Sequence, residues 1–232
     1  RDVFADMLPA FVAYRVLTYD LYGHGASEPP PSKASLTVYA DQLTGLMDHL
    51  GIPRAHIVGF SIGGMINRRF ALDHRNKTAS LIVLNSPHDR GLAAQTMVEA
   101  RAKSVREQGA FSTFDAALKR WFTPEYLALG TGAAKVRAWR EAVDAESYAQ
   151  AAWVLANGVV ELAGRNGEIN VPTLVMTCEN DSGSTPEMGS NIAAEIAGAQ
   201  TIIIPKLQHL GLMEQPDVYT KPIRYFLERQ SQ

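Results

Sequence analysis

The sequence contains a single cysteine, Cys178, among its 232 residues, and one cysteine cannot form an internal disulfide. Cys178 follows a strand-like apolar run, so we expect a thiol that is buried in the core. A fold that does not use disulfides favours a reducing compartment. We therefore expect a cytoplasmic protein without a signal peptide at its start.

The sequence also lacks an excess of either charge and a long apolar run. Its 22 lysines and arginines nearly balance 24 aspartates and glutamates, so no basic surface is predicted for nucleic acid or an anionic membrane. The apolar runs have the length of strands, far short of the ~20 residues that span a bilayer. We therefore expect a small-molecule partner, no nucleic acid and no membrane, while the oligomeric state stays open.

Ligand sets for a metal or a nucleotide cofactor are missing as well. No group of histidine, cysteine, aspartate and glutamate residues has the spacing of metal ligands. The glycines of residues 59–64 do not follow the G-x-G-x-x-G spacing of a dinucleotide-binding loop. We therefore expect chemistry that needs neither a metal nor a cofactor.

What the sequence does contain is an alternation of strand and helix patterns, in a composition that is 46% hydrophobic. The predicted strands are residues 14–19, 55–60, 79–85, 171–177 and 201–205. The predicted helices of this part are residues 2–11, 35–50, 65–73, 186–197 and 216–227. Continuous apolar strands that alternate with helices predict an α/β fold with a mostly parallel sheet, covered by helices on both faces.

The alternation stops between residues 88 and 168, where only helical patterns occur, over residues 93–108, 111–122, 133–145 and 146–162. We interpret residues 88–168 as a helical cap over a core formed by residues 1–87 and 169–232. All three tryptophans, Trp121, Trp139 and Trp153, lie in this cap. Packing between cap helices is the commoner role for each, and Trp121 and Trp153 are also candidate substrate contacts.

The sequence Gly59-Phe60-Ser61-Ile62-Gly63 has the form of a nucleophile elbow, because it ends an apolar strand and opens a helix. We predict that Ser61 is the nucleophile. Gly59 and Gly63 are small enough to let the strand and the helix approach each other. The backbone N–H of Ile62, unpaired at the helix start, is the predicted oxyanion donor.

A serine nucleophile needs a base, and usually a carboxylate that orients the base. In a parallel sheet, ligands bind beyond the carboxyl ends of the strands, so these partners should lie in loops after later strands. Asp181 and His209 lie in such loops, and the order serine, aspartate, histidine is the one expected for this elbow. We therefore predict a Ser61–His209–Asp181 triad.

Other residues compete for the two partner roles. The rival bases are His24, His49, His56, His74 and His88, and the rival acids are Glu179 and Asp89. Three of the histidines lie on predicted helices or on the elbow strand, which points them away from a common site. His24 has the pattern of a loop-stabilising residue, and His88 remains a candidate pocket residue.

Taken together, these stretches resemble the α/β-hydrolase superfamily over essentially the whole chain. The segments that carry the resemblance are residues 19–27, 59–65, 172–181 and 208–216. Within the superfamily, cap residues 120–124 and 146–149 are similar to the 3-oxoadipate enol-lactonase and carboxylesterase group. The resemblance implies a serine hydrolase that cleaves a carboxylic ester or enol-lactone of a small organic acid.

Three alternatives stay open at this point. Capped members of the superfamily also include hydrolases that cleave a C–C bond next to a ketone, cofactor-free perhydrolases, and receptors that bind a ligand with little turnover. Arg137 and Arg140, three residues apart on a predicted cap helix, are candidates to bind a substrate carboxylate, although a solvated helix face is the commoner explanation.

The sequence departs from the family in one respect. Members usually carry, before the helix matched by residues 2–11, two or three strands and a His-Gly loop that supplies a second oxyanion donor. In the family's sheet, the third strand lies between the strands matched here by residues 14–19 and 55–60. A gap at that place would leave buried backbone N–H and C=O groups unpaired, and each unpaired group lowers the stability of the fold by ~1–3 kcal/mol. By analogy we expect that N-terminal strands are missing from this chain, about thirty residues in all.

Overall fold

The computed structural model describes residues 1–230 and contains a four-stranded sheet. The strands are β1 (Ala55–Phe60), β2 (Thr78–Leu84), β3 (Thr173–Cys178) and β4 (Gln200–Ile204). They lie in the order β1-β2-β3-β4, and each neighbouring pair is parallel. The parallel sheet predicted from the apolar runs is therefore confirmed.

Helices connect and cover these strands. Those outside the β2–β3 connection are α1 (Leu36–His49), α2 (Ile62–Asp73), α8 (Pro186–Glu195), α9 (Gly211–Glu214) and α10 (Asp217–Gln230). The connection from β2 to β3 holds α3 (Gly91–Gln108), α4 (Phe114–Trp121), α5 (Pro124–Ala128), α6 (Thr131–Glu141) and α7 (Ala145–Asn157). We call residues 91–157 the helical insertion. No helix within residues 1–230 has the length and hydropathy that a membrane crossing requires.

Strand β2 is buried on both faces and divides the core in two. Leu81 and Val83 pack into a cluster that contains residues of α1 and α2, whereas Ile82 and Leu84 pack into a cluster that contains residues of α10. All four side chains are fully buried. Alternate residues of one strand thus fill two cores, which explains why parallel strands have uninterrupted apolar sequences. Cys178 lies in the second cluster and is buried, as predicted.

Two predicted elements at the start of the chain were wrong. Residues 14–19 do not form a strand, and Val16 and Leu17 remain 48% and 40% exposed. Within the described residues β1 is an edge strand that pairs with β2 alone, so an apolar run here has no ladder partner. The predicted helix over residues 2–11 is two 3₁₀ turns, Asp2–Phe4 and Leu8–Phe11. Pro9 has no N–H to donate, which prevents a continuous helix.

A buried arginine on α2 fixes the chain segments on either side of the insertion. Arg68 is 1% exposed and donates to the carbonyl of Pro87 at 2.7 Å and to Ser86 Oγ at 3.3 Å, just after β2. It also donates to Asn166 Oδ1 at 3.4 Å, shortly before β3. Burial lowers the pKa of Arg68 to about 9, so its guanidinium stays charged at neutral pH. The helix that follows Ser61 therefore anchors both segments.

Candidate active site

Ser61 lies at a sharp turn between β1 and α2. Its φ of 56° and ψ of −116° place a non-glycine residue in a strained backbone conformation. The Ser61 N–H donates to the carbonyl of Leu84 at 2.9 Å, so the neighbouring strand holds the turn. Ile62 begins α2, where no preceding helical turn offers its N–H a carbonyl.

The glycines around this turn have different roles. A Cβ on Gly59 would collide with the carbonyl of Gly63, and one on Gly64 would collide with the side chain of Ser86. These two glycines let the strand, the helix and the chain after β2 approach each other. A Cβ on Gly63 would meet no atom within 4 Å, so the prediction that Gly63 is needed for close approach was wrong.

The structure brings Ser61, His209 and Asp181 into one chain of contacts. His209 Nδ1 lies 2.7 Å from Asp181 Oδ2, and His209 Nε2 lies 3.0 Å from Ser61 Oγ. A carboxylate can only accept hydrogen bonds, so Nδ1 donates to Asp181. In the neutral imidazole Nε2 is then the acceptor, and the Ser61 hydroxyl donates to it. The imidazole is thereby held in the tautomer that can take a proton from the serine.

Asp181 is 2% exposed, and its carboxylate is fully engaged. Oδ1 accepts from the backbone N–H groups of Gly183 and Ser184, each at 2.9 Å, and Oδ2 accepts from His209 and from Asn85 Nδ2 at 3.0 Å. Burial alone raises the pKa of Asp181, but the charge of His209 and these hydrogen bonds outweigh burial and lower it. The carboxylate therefore stays ionised at neutral pH.

The rival residues have other partners. Four of the five histidines contact other groups: His24 the carbonyl of Tyr22, His56 the hydroxyl of Ser80, His74 the carboxylate of Asp41 and His88 that of Glu195. The fifth, His49, is exposed. Of the two acids, Glu179 accepts from the N–H of Lys206 and Asp89 accepts from the N–H of Gly91. None of these seven residues is among the described residues that line the cavity beside Ser61. We therefore keep His209 and Asp181 as the candidate base and acid.

The loop that carries His209 is attached to the helical insertion. Leu210 N–H donates to the carbonyl of Trp121 at 2.8 Å. Thr123 donates to the carboxylate of Glu214 from its N–H at 2.9 Å and from its hydroxyl at 2.6 Å. The insertion therefore fixes the position of the imidazole as well as covering it.

A cavity of about 150 Å³ lies between this site and the insertion. Ser61, His209 and Trp121 border it, and the Trp121 ring centroid lies 6.3 Å from that of His209. Trp121 therefore stays a candidate substrate contact. Trp153 is 43% exposed and is not among the described residues that line the cavity, so the structure does not support a substrate contact for it.

Four arginines also line the cavity: Arg90, Arg101, Arg120 and Arg140. Asp181 is the one acidic side chain among the described residues that border it. Of the two arginines considered from the sequence, Arg140 lines the cavity but is only 6% exposed, so it does not lie on a solvated helix face. Arg137 instead lies over the Phe114 ring, 4.6 Å from its centroid, and does not line the cavity.

A family model described as the alpha/beta hydrolase fold matches residues 1–216. The chain belongs to the α/β-hydrolase family. It is 29% identical over 217 residues to 3-oxoadipate enol-lactonase 2 of Acinetobacter baylyi, and the alignment covers 93% of this chain and 79% of that protein. It is 26% identical over 215 residues to the (E)-2-((N-methylformamido)methylene)succinate hydrolase of the same organism, covering 93% and 81%.

A solved structure is similar over nearly the whole of this α/β-hydrolase. The crystal structure of the enol-lactonase from Burkholderia xenovorans LB400 superposes with a TM-score of 0.90 at 30% identity. The match covers 98% of this chain and 86% of that chain. The fold class implied by the sequence resemblance is therefore confirmed.

Sequence reasoning missed Asn85, which donates to Asp181. We placed Asn85 at the end of a strand, but β2 ends at Leu84 and Asn85 adopts a φ of 45°. A signal was available, because Asn85 is a polar residue directly after a buried parallel strand. The rule that identified Asp181 and His209 applies equally to this position.

The glycines of the elbow provide a matched test of the turn. We expect Gly59→Ala to lower the free energy of unfolding by about 1–3 kcal/mol, because the new methyl group is forced against a backbone carbonyl. Gly63→Ala should be neutral or stabilising by up to about 1 kcal/mol, because the site is open and alanine favours the helix. Urea unfolding of both variants measures the difference. Equal losses in the two variants would contradict the close approach assigned to Gly59.

Proposed function

We propose that this chain is a serine hydrolase that cleaves a carboxylic ester or lactone of a small organic acid. The observation that carries the proposal is the series of contacts from Ser61 through His209 to Asp181. A serine hydroxyl is a poor nucleophile at neutral pH, and this arrangement supplies both a base and a group that orients the base. The similarity to two enol-lactonases supports the ester and lactone class.

In the proposed reaction, Ser61 Oγ attacks the substrate carbonyl while His209 Nε2 takes the hydroxyl proton. Asp181 stabilises the imidazolium without taking its proton. The N–H of Ile62 donates to the oxyanion of the tetrahedral intermediate. The intermediate then collapses, His209 protonates the leaving oxygen, and an acyl-enzyme forms. Attack by a water molecule, with His209 as the base, releases the acid and restores the serine.

Replacing the nucleophile tests this assignment. We expect Ser61→Ala to lower ester turnover by about 10⁴-fold or more, because the acyl-enzyme cannot form. The assay compares p-nitrophenyl hexanoate, a small lactone and a vinylogous diketone as substrates for the unaltered protein and the variant. Near-normal ester turnover in Ser61→Ala would contradict the assignment. A preference of the unaltered protein for the diketone, or binding of all three without turnover, would contradict the proposed reaction.

The charges of the cavity support a narrower substrate class. Arg101 donates from Nε to the carbonyl of Met97 at 3.3 Å. Arg120 donates from Nη1 to the carbonyl of Ala116 at 2.9 Å. Neither forms an ion pair with an acidic side chain within residues 1–230. Burial lowers the pKa of Arg120, and the charge of Arg101 lowers it further. Two partly buried cations thus repel each other and lack an anion.

The other two arginines of the cavity have structural partners. Arg90 donates to the carbonyls of Leu155 and Ala156 at 2.8 and 3.2 Å, near the end of α7. The Arg140 guanidinium lies 4.9–5.4 Å from the ring centroids of Phe114, Trp121 and Tyr148, and it donates to the carbonyl of Ala110 at 3.1 Å. Arg101 and Arg120 are therefore the pair that we propose to bind a substrate carboxylate, remote from the scissile carbonyl.

Two esters of equal chain length separate this charge effect from general damage. We expect Arg101→Gln to lower kcat/KM for mono-p-nitrophenyl adipate about tenfold to hundredfold, because a charge-assisted hydrogen bond contributes ~1.5–3 kcal/mol. For neutral p-nitrophenyl hexanoate the change should stay within about threefold. Steady-state kinetics at constant ionic strength measures both.

The matched control is Arg106→Gln on the same helix. Arg106 is exposed and forms a two-bond ion pair with Glu146 at 2.9 and 3.2 Å, outside the cavity. It should change neither substrate's kcat/KM. Equal losses for both esters in Arg101→Gln, or the same selectivity change in Arg106→Gln, would contradict the proposed carboxylate site.

A further inference from the structure

A buried chain of hydrogen bonds lies behind Asp181. Cys178 Sγ lies 2.9 Å from the hydroxyl of Tyr219, and that hydroxyl lies 2.9 Å from Asn85 Oδ1. Asn85 Nδ2 then lies 3.0 Å from Asp181 Oδ2. Cys178, Tyr219 and Asn85 come from the end of β3, from α10 and from the residue after β2, and all three are fully buried.

The chemistry of the groups fixes the direction of every bond in this chain. The Asp181 carboxylate can only accept, so the Asn85 amide must present its N–H₂ to it. Asn85 Oδ1 then faces Tyr219 and must accept, so the phenol donates its proton to the amide. The phenol oxygen is left to accept from the Cys178 thiol. Burial raises the pKa of Cys178 to about 11, so the thiol keeps the proton that it donates.

The amide of Asn85 depends on this chain for its orientation. Its two ends are nearly equal in size, and only hydrogen-bond partners distinguish them. If the phenol donor were lost, Asn85 Oδ1 would be a buried acceptor without its donor, and within residues 1–230 the bond from Nδ2 to Asp181 would be the one side-chain bond left to hold the amide. The backbone helps to fix the residue, since the Asn85 N–H donates to the carbonyl of Met176 at 2.8 Å.

We propose that Cys178, Tyr219 and Asn85 form a directed chain of donors that fixes the Asp181 carboxylate for its bond to His209. Asn85 and Tyr219 are therefore positioning residues. Asp181 Oδ2 is the oxygen shared by His209 Nδ1 and Asn85 Nδ2, so the amide determines how that oxygen meets the imidazole. The catalytic part of this proposal rests on the proposed hydrolase function, whereas the geometric part does not.

The test compares two tyrosines of α10. Tyr219→Phe keeps the buried ring and removes the donor, so kcat for p-nitrophenyl hexanoate should fall about tenfold while KM changes less than about twofold. Tyr225→Phe is the control, because Tyr225 lies on the same helix and is 61% exposed. It should leave both constants unchanged.

A pair of substitutions at Cys178 supplies a second test. Cys178→Ser keeps a hydrogen-bond donor at this position, and Cys178→Ala removes it. We expect the serine variant to retain the unaltered kcat and the alanine variant to lose about two- to threefold, less than Tyr219→Phe because the lost bond lies one link further from Asp181. Comparable loss in both cysteine variants would contradict the directed chain.

Proton NMR of the His209–Asp181 bond tests the geometric part without turnover. The proton on His209 Nδ1 forms a hydrogen bond to the Asp181 carboxylate, and the His209 side chain is only 12% exposed. The resonance of this proton should therefore be observable far downfield. We expect this resonance to shift or broaden in Tyr219→Phe and in Cys178→Ala, but not in Tyr225→Phe or Cys178→Ser. An unchanged resonance in all four variants would overturn the proposal.

The outcomes also separate this proposal from the hydrolase function. If the unaltered protein hydrolyses esters and Tyr219→Phe matches Tyr225→Phe in kcat, the positioning role fails and the hydrolase function stands. If the unaltered protein hydrolyses none of the substrates, the function fails, and the resonance still decides the geometric part. If Tyr219→Phe does not fold, the cysteine pair gives the same decision.

Discussion

The structure depends on complete pairing of one buried carboxylate, that of Asp181. Its two oxygens accept four hydrogen bonds, from Gly183, Ser184, Asn85 and His209. A hydrogen bond to a charged group contributes about 1.5–3 kcal/mol, so the segments that carry these donors are all constrained by the same group. The loop after β3, the residue after β2 and the loop that carries His209 therefore meet at the Asp181 carboxylate, and the His209 imidazole faces Ser61 in a defined orientation.

The helical insertion completes the site from the opposite side. Thr123 donates to the carboxylate of Glu214, and the N–H of Leu210, next to His209, donates to the carbonyl of Trp121. The same contacts therefore hold the imidazole in place and hold the insertion over the cavity. Charge is distributed unevenly across it. Negative charge is buried beneath His209, and positive charge lines the cavity above it. This distribution of charge is the basis for the anionic substrate that we propose.

The sequence was sufficient for features that depend on short segments. The elbow at Ser61 is encoded by Gly59 and an apolar strand, and Asp181 and His209 follow apolar runs whose composition indicates strands. Residues 14–19 were assigned wrongly because a strand also needs a partner, which an apolar pattern does not contain. Asn85 meets Asp181 across 96 positions, and the cationic cavity joins residues from separate helices. The cluster of arginines has no local pattern, and the position of Asn85 directly after a strand indicates that it lies near the site but not that it contacts Asp181.

The most direct test of the central claim is mass spectrometry after exposure to a fluorophosphonate probe, which reacts with an activated serine. We expect a single adduct that peptide mapping places on Ser61, because His209 is held by Asp181 in the tautomer that accepts the serine proton. Protein that stays unmodified, or an adduct on another serine, would contradict an activated nucleophile at the elbow.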